Sequence, residues 1–315
     1  MADVVNRFEV LTDKQWELLA LLLPSSDGLR GRKFQNSRLV VEGMLYRLRT
    51  GLPWRDLPAH FGPWKTVWKR HRRYAGDGTW DRVLIALAAM ADAGGDLDWA
   101  VSVDSTVVRV HQHGANARVT QGDLPNYTNL LDEPVDHGIG RSRGGLTCKV
   151  HLACDGDGRP LSVLVGPGQA GDSPMFGPLL EGICVPRIGG GAPRTRPDEV
   201  RADKAYTSKA NRELLRSKGI KAVIPEKSDQ VANRKNKGSA GGRPPNFDAE
   251  SYKGRNVVER AFNKAKQWRA VATRYDKLAL TYRAGFLLTG IVEWLKLLGD
   301  MPYYCNGTCL TGTRY

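Results

Sequence analysis

Between residues 199 and 224 the chain runs strand, helix, strand with short links, and that order leaves few folds open. Glu199 to Ala202 reads as a strand, Lys209 to Lys218 as a helix closed by Gly219, and Ile220 to Ile224 as a second strand. Two strands joined in this way form a parallel crossover, right-handed in nearly every known case, and parallel strands are buried under helices on both faces. The expected fold class is therefore α/β. Upstream, Trp99 to Asp104 alternates, with Val101 and Val103 on one face and Asp104 on the other. Residues 146–154 (LTCKVHLAC) and 161–165 (LSVLV) read as strands joined by Asp155-Gly156-Asp157-Gly158, a hairpin signal. A helical stretch follows near Pro174 to Ile183. The closing segment, Leu278 to Leu298, is apolar nearly all round and should be a buried helix.

Before Asp98 the texture is helical. Thr12 and Gln15 form a capping box ahead of Trp16, Leu18, Leu19, Leu22 and Leu23, and Pro24 ends the run. Residues 36–49 resume helical spacing up to Gly51 and Pro53. Trp54 to Phe61 reads as a short helix, Gly62-Pro63 as a turn, and Trp64 to Tyr74 as a helix carrying Lys65, Lys69, Arg70, Arg72 and Arg73 without an acid. Short helix, tight turn and basic helix resemble a helix-turn-helix, whose recognition helix packs one face and presents the other to DNA. A solvated basic face packed through Trp64, Val67, Trp68 and His71 is the alternative. The expected division is a small all-helical domain over 1–95, an α/β domain over 96–300 with a basic insert at about 226–247, and a disordered tail over 301–315. Residues 114–145 and 226–247, the latter with Arg234, Lys235, Lys237 and Arg243, read as irregular segments, mobile until a partner binds.

The formal net charge of +14 over 315 residues favours a polyanionic partner. Five cysteines, at 148, 154, 184, 305 and 309, show no zinc-knuckle spacing and suit a reducing compartment. The start has no secretory pattern, and the longest apolar run, Val83 to Ala91, is too short to span a membrane. A cytoplasmic protein acting on DNA, with no membrane partner, is expected. His111-Gln112-His113 lacks a third metal ligand, and Gly189-Gly190-Gly191 lacks the strand-to-helix context of a phosphate loop.

Cutting a phosphodiester requires an activated hydroxyl and a stabilised leaving oxygen, which two metal ions about 4 Å apart supply. Hard ions take oxygen ligands, so carboxylates from separate elements have to converge. Asp104 lies in the first strand of the β region and Asp203 directly follows the strand ending at Ala202, where ligands gather in open sheets. Glu259 lies on an expected helix. At 100° per residue from Arg255, Glu259 falls near about 40°, Lys266 near about 20° and Tyr252, if the helix reaches it, near about 60°. Val257, Val258, Ala261, Ala265 and Trp268 form the adjacent apolar arc. Taken alone, these residues also suit a surface Arg–Glu pair and a turn aspartate.

Tyr252, Arg255, Glu259 and Lys266, separated by two, three and six residues, resemble the tyrosine, arginine, glutamate, lysine signature of the insertion-sequence DDE transposases. Asp203-Lys204-Ala205-Tyr206 resembles that family's second-aspartate motif and Val101-Ser102-Val103-Asp104-Ser105-Thr106 its first. The similarity to the insertion-sequence-five branch runs from about residue 8 to residue 298; the stretch Gln121 to Asp136 is longer than that pattern. The resemblance implies a ribonuclease H-like mixed sheet with flanking helices. It also implies that Asp104, Asp203 and Glu259 bind two divalent ions, magnesium or manganese, and that Tyr252, Arg255 and Lys266 contact double-stranded DNA at the terminal inverted repeats. Strand transfer into target DNA by a homodimer or higher oligomer is the implied activity. A regulator with an inactive ribonuclease H-like domain, and a nuclease that cuts without joining, are the alternatives.

Overall fold

The computed structural model describes residues 8–26, 34, 36–116 and 133–299; the tail expected at 301–315, with Cys305 and Cys309, and most of Gln121 to Asp136 lie outside the described residues. Four helices come first: α1 (Asp13–Leu22), α2 (Ser37–Thr50), α3 (Trp64–Gly76) and α4 (Thr79–Gly94). The capping box forms, with the Thr12 hydroxyl accepting from the Gln15 amide and the Gln15 side chain accepting from the Thr12 amide. Glu42 on α2 accepts from the Val10 and Leu11 amides and so ties α1 to α2. Gly51, at φ +74°, ends α2 in the left-handed conformation.

The helix expected over Trp54 to Phe61 is replaced by two 3-10 turns, Trp54–Asp56 and Ala59–Phe61, which start after Pro53 and Pro58. Pro58 cannot donate to a continuing helix and forces Leu57 into extended backbone (ψ 127°). The first helix of the expected helix-turn-helix is therefore absent, and α2 supports α3 instead.

Among the described residues, seven strands form one mixed sheet: β1 (Ala100–Val110), β2 (Gly140–Ser142), β3 (Gly145–Cys154), β4 (Pro160–Pro167), β5 (Glu199–Ala202), β6 (Lys221–Val223) and β7 (Thr273–Arg274). β1 is central. β3 pairs antiparallel along one side of it, while on the other side β5 pairs parallel at its start and β7 parallel at its end. β4 lies outside β3 and β6 outside β5. The expected hairpin is the β3–β4 turn, where Asp155, buried, accepts from the Asp157 and Arg159 amides. Gly158 (φ +89°) faces Val257 so closely that a Cβ there would lie 3.2 Å from it.

The remaining helices are α5 (Gln112–Ala115), α6 (Phe176–Glu181), α7 (Lys209–Ser217), α8 (Ser228–Asn236), α9 (Ala249–Lys253), α10 (Asn256–Lys266), α11 (Arg269–Ala272) and α12 (Ala279–Gly299). The basic insert thus contains a regular helix, α8, where irregular chain is expected, because Ser228 to Asn236 has no glycine or proline to interrupt it. α12 carries Tyr282, Phe286, Leu287, Ile291, Trp294 and Leu295 into the core and packs on α4, α3, α1 and β4. Each such large apolar side chain contributes about 1.5–3 kcal/mol on burial. Arg283 pairs with Asp81 of α4, and the Trp294 indole donates to the Pro160 carbonyl at 2.9 Å. One hydrophobic cluster runs from Leu11 to Leu298. Among the described residues no helix is long and apolar enough to cross a membrane.

Two buried histidines give the fold an acid limit. Burial pulls His71 down to about 4 and His151 to about 4. Because the folded values lie below the ordinary one, the unfolded chain binds more protons between pH 6.5 and 4, so stability is lost as pH falls through that window. Lowering pH from 7.5 to 5 should remove about 2 kcal/mol per histidine. Urea unfolding at the two pH values checks this; His71→Phe and His151→Phe should each flatten the difference by about half.

Candidate active site

The β1–β5 ladder pairs Ala100 with Glu199 through Val103 with Ala202. Continuing that register by one residue sets Asp203 beside Asp104, at a strand spacing of about 4.8 Å. β5 ends there and β7 joins only at Arg109, so among the described residues β1 has no strand neighbour on that side between the two. Asp203 closes β5 by accepting from the Ala205 amide and capping the 3-10 turn Lys204–Tyr206. Asp104 is half-buried and accepts from the Ser105 amide at 2.8 Å. Burial raises the pKa of Asp104; the Ser105 amide and Arg255 oppose this, and Asp203 and Glu259 add to it. Asp104 therefore feels the charge of both other acids.

α10 packs across β1 and β3 through buried Val257, Val258, Ala261, Phe262 and Ala265. Its other face brings the sequence-derived residues to β1. The Arg255 guanidinium donates through one terminal nitrogen to Glu259 at 2.8 Å and through the other to Asp104 at 2.6 Å. Lys266 donates to the Thr106 hydroxyl at 2.7 Å, and burial lowers its pKa. Tyr252 is not on this helix: α9 ends at Lys253, and Gly254 and Arg255 form a turn before α10. Its phenol is nonetheless raised in pKa by burial, and Asp203, Asp104 and Glu259 reinforce that against Arg255.

All the candidate ligand atoms are carboxylate oxygens, the donor set of a hard divalent ion. As the side chains stand, among the described residues no three His, Cys, Asp or Glu side chains are close enough to hold an ion. The reason is visible in Arg255, a cation seated between Asp104 and Glu259. Asp104 and Glu259 both turn toward one positive charge, and their carboxylate oxygens are the donors that a hard divalent ion takes. The residues fit such an ion in the chemistry of their donor set.

Sequence reasoning missed a second polar group on the opposite face of β1. Ser105 donates to Asp172 at 2.7 Å, Lys149 lies 3.0 Å from the same carboxylate, and His151, cross-strand from Ser105, lies 4.0 Å away. Asp172 stays below its ordinary pKa despite burial because Ser105 and Lys149 bond to it. Lys149 and His151, two apart in an otherwise apolar strand, share a face and were the available signal. Asp172 lies in a loop with no pattern to mark it.

On α3, Lys65, Lys69 and Arg73 are exposed, with Arg73 near Asp77 at 3.5 Å. Arg72 is half-buried over Trp68. Arg70 departs from the expected DNA-facing role. It is buried with Val67, His71 and Tyr74 on the packed stripe, its guanidinium 3.7 Å from the Phe34 ring centre. His111 and His113 stack on each other at 4.7 Å, with Tyr275 beside His111. Cys148 and Cys154 are buried free thiols.

Residues 96–292 match the family described as "Transposase DDE domain", and residues 11–84 match "Putative transposase of IS4/5 family". Among curated proteins, an "Uncharacterized protein y4sN" of Sinorhizobium fredii is 40% identical over 36% of this chain and 86% of its own length. An insertion element IS402 protein of Burkholderia cepacia is 36% identical, over 38% of this chain and 89% of its own. "Putative transposase for insertion sequence element IS6501" of Brucella ovis is 32% identical over 48% of this chain and its whole length. No solved structure matches the chain at a significant level.

Proposed function

We propose that this chain, which belongs to the DDE transposase family, cuts DNA at the ends of a transposable element and joins the freed ends to target DNA. The supporting observation is that Asp104 on β1 and Asp203 at the end of β5 are set side by side by the parallel ladder, while Arg255 joins Asp104 to Glu259 of α10. The mixed sheet with flanking helices suits a ribonuclease H-like fold.

Asp104, Asp203 and Glu259 would hold two divalent ions, magnesium or manganese, which when bound supply an activated hydroxyl and a stabilised leaving oxygen. Asp104, on the central strand, would be the residue that serves both ions. Arg255, once released from the carboxylates, is a bidentate donor for a phosphate beside the scissile bond. Lys266, held over Thr106, offers a point charge two β1 residues farther along the same backbone. Tyr252, half-buried beside Phe247, would offer its phenol to the DNA backbone. The exposed Lys65, Lys69 and Arg73 on α3 would add phosphate contacts outside the site.

The test is whether the purified chain, with a duplex carrying the element's terminal repeat and magnesium, nicks at the repeat boundary and joins that end to a plasmid. Nicking without joined product would leave a nuclease; binding without nicking would leave a regulator. Lys266→Ala should weaken end binding about three- to tenfold at low salt and reduce the slope of log affinity against log salt by about 1. Filter binding at several salt concentrations checks this.

A further inference from the structure

We infer that the cleft between α3 and the segment joining β7 to α12 is a subsite for one unpaired nucleobase of the bound DNA. The cleft, a cavity of about 720 Å³, is walled by Trp54, Trp64, Trp68 and Tyr275, with Lys277 at its edge. It adjoins a space of about 360 Å³ that shares Trp54, Trp68 and Tyr275 with it and is also lined by His71 and Thr281. These volumes fall in the range of sites that enclose a small planar ligand, roughly 300–1,000 Å³.

The chemistry of the wall selects the occupant. The three tryptophans are half-buried, so each keeps part of its ring open. Cations already lie against them: Arg47 is 4.8 Å from the Trp54 ring centre, while Arg55 and Lys65 are 5.9 and 5.8 Å from that of Trp64. The acid in the inner wall, Asp276, is neutralised by Arg47 at 3.0 Å. Aromatic faces within a positive rim take a flat heterocycle attached to a polyanion, since every base has a π-face and the rim attracts its phosphates. At the inner end, His71 is 1% exposed, with the Thr281 backbone beside its ring and neither nitrogen in a well-formed hydrogen bond. A poorly satisfied ring nitrogen is costly in an apolar wall, and a base edge supplies a partner for it.

The placement suits the same duplex that reaches the acids. His111, at the cleft, follows β1 seven residues beyond Asp104, roughly 23 Å along the strand. That is about seven nucleotide rises at 3.4 Å. A paired base cannot enter a walled cleft, so the occupant is a base that has left the stack. The inference rests on the DNA-cutting reading only in taking DNA as the bound polymer.

The experiment uses the full chain and two 30-base-pair duplexes, one fully paired and one with a single unpaired 2-aminopurine. The inference expects the bulged duplex to bind about tenfold more tightly and its 2-aminopurine emission to be quenched on binding, by stacking on tryptophan. In Trp68→Ala and in Trp64→Ala the preference for the bulged duplex should fall toward one. Equal affinity for both duplexes with unquenched emission, or a preference unchanged in both variants, overturns the subsite while leaving DNA binding intact. Failure of the unmutated chain to bind either duplex overturns the DNA reading and the subsite with it.

Discussion

Asp104→Asn should lower strand cleavage at a terminal repeat by a thousandfold or more, to about the level of background, while duplex affinity stays within about threefold. Asparagine keeps the shape of the side chain and an oxygen that accepts from the Ser105 amide, so the β1 backbone has no reason to move. It removes the anionic charge that the two proposed metal ions would need and weakens the pair with Arg255 at 2.6 Å. Burial already disfavours the charged form of Asp104, so the neutral side chain lowers the cost of burying it and should leave stability within about 1 kcal/mol of the parent. Asp203→Asn and Glu259→Gln should have effects of similar size. A double variant should lose little more than either single one, because residues that act as a unit are not additive. End-labelled cleavage assays with parallel filter binding read both quantities.

Arg255→Ala should act in two directions at once. Without a divalent ion it leaves Asp104 and Glu259 without the cation that both now contact. Because Glu259 is half exposed, the expected loss is about 1–2 kcal/mol, below that for a fully buried pair. Manganese should then restore stability, since its competitor for the carboxylates is gone. The rise in unfolding temperature on adding millimolar manganese should be at least twice that of the parent chain, in line with stabilisation by a ligand that binds only the folded state. Cleavage should fall about ten- to a hundredfold through the lost phosphate contact. Equal manganese shifts in variant and parent would mean that Arg255 does not occupy the ion's place. Differential scanning fluorimetry measures this without any catalytic readout.

Much of this site was legible because its residues lie on regular elements. The parity of Val101, Val103 and Asp104 and the short run Glu199 to Ala202 place two aspartates at the ends of strands, and parallel pairing makes them neighbours. Helical spacing from Arg255 sets Glu259 and Lys266 on one face, and both face β1 or its partner cation. Tyr252 resisted the same treatment because the chain turns at Gly254, a break that carries no periodic signal. The Arg255–Glu259 pair was legible from its spacing of four, but the bond from Arg255 to Asp104 was not, since ion pairing across 151 residues is a tertiary fact. Proline explains the loss of the helix at Trp54 to Phe61, and its meaning was available in Pro58. Arg70 shows the opposite error. A basic residue was read as presented to a partner, although its spacing from Val67 and Tyr74 places it on the packed stripe.

The central claim is that Asp104, Asp203 and Glu259 share divalent metal. A crystal of the chain with terminal-repeat DNA, grown in manganese and measured at its absorption edge, tests it directly. The account expects two anomalous peaks, each about 2.1 Å from carboxylate oxygens of these residues, both touching Asp104, with Arg255 moved onto a phosphate. Manganese bound elsewhere, with Arg255 still bridging Asp104 and Glu259 while DNA is engaged, would contradict it.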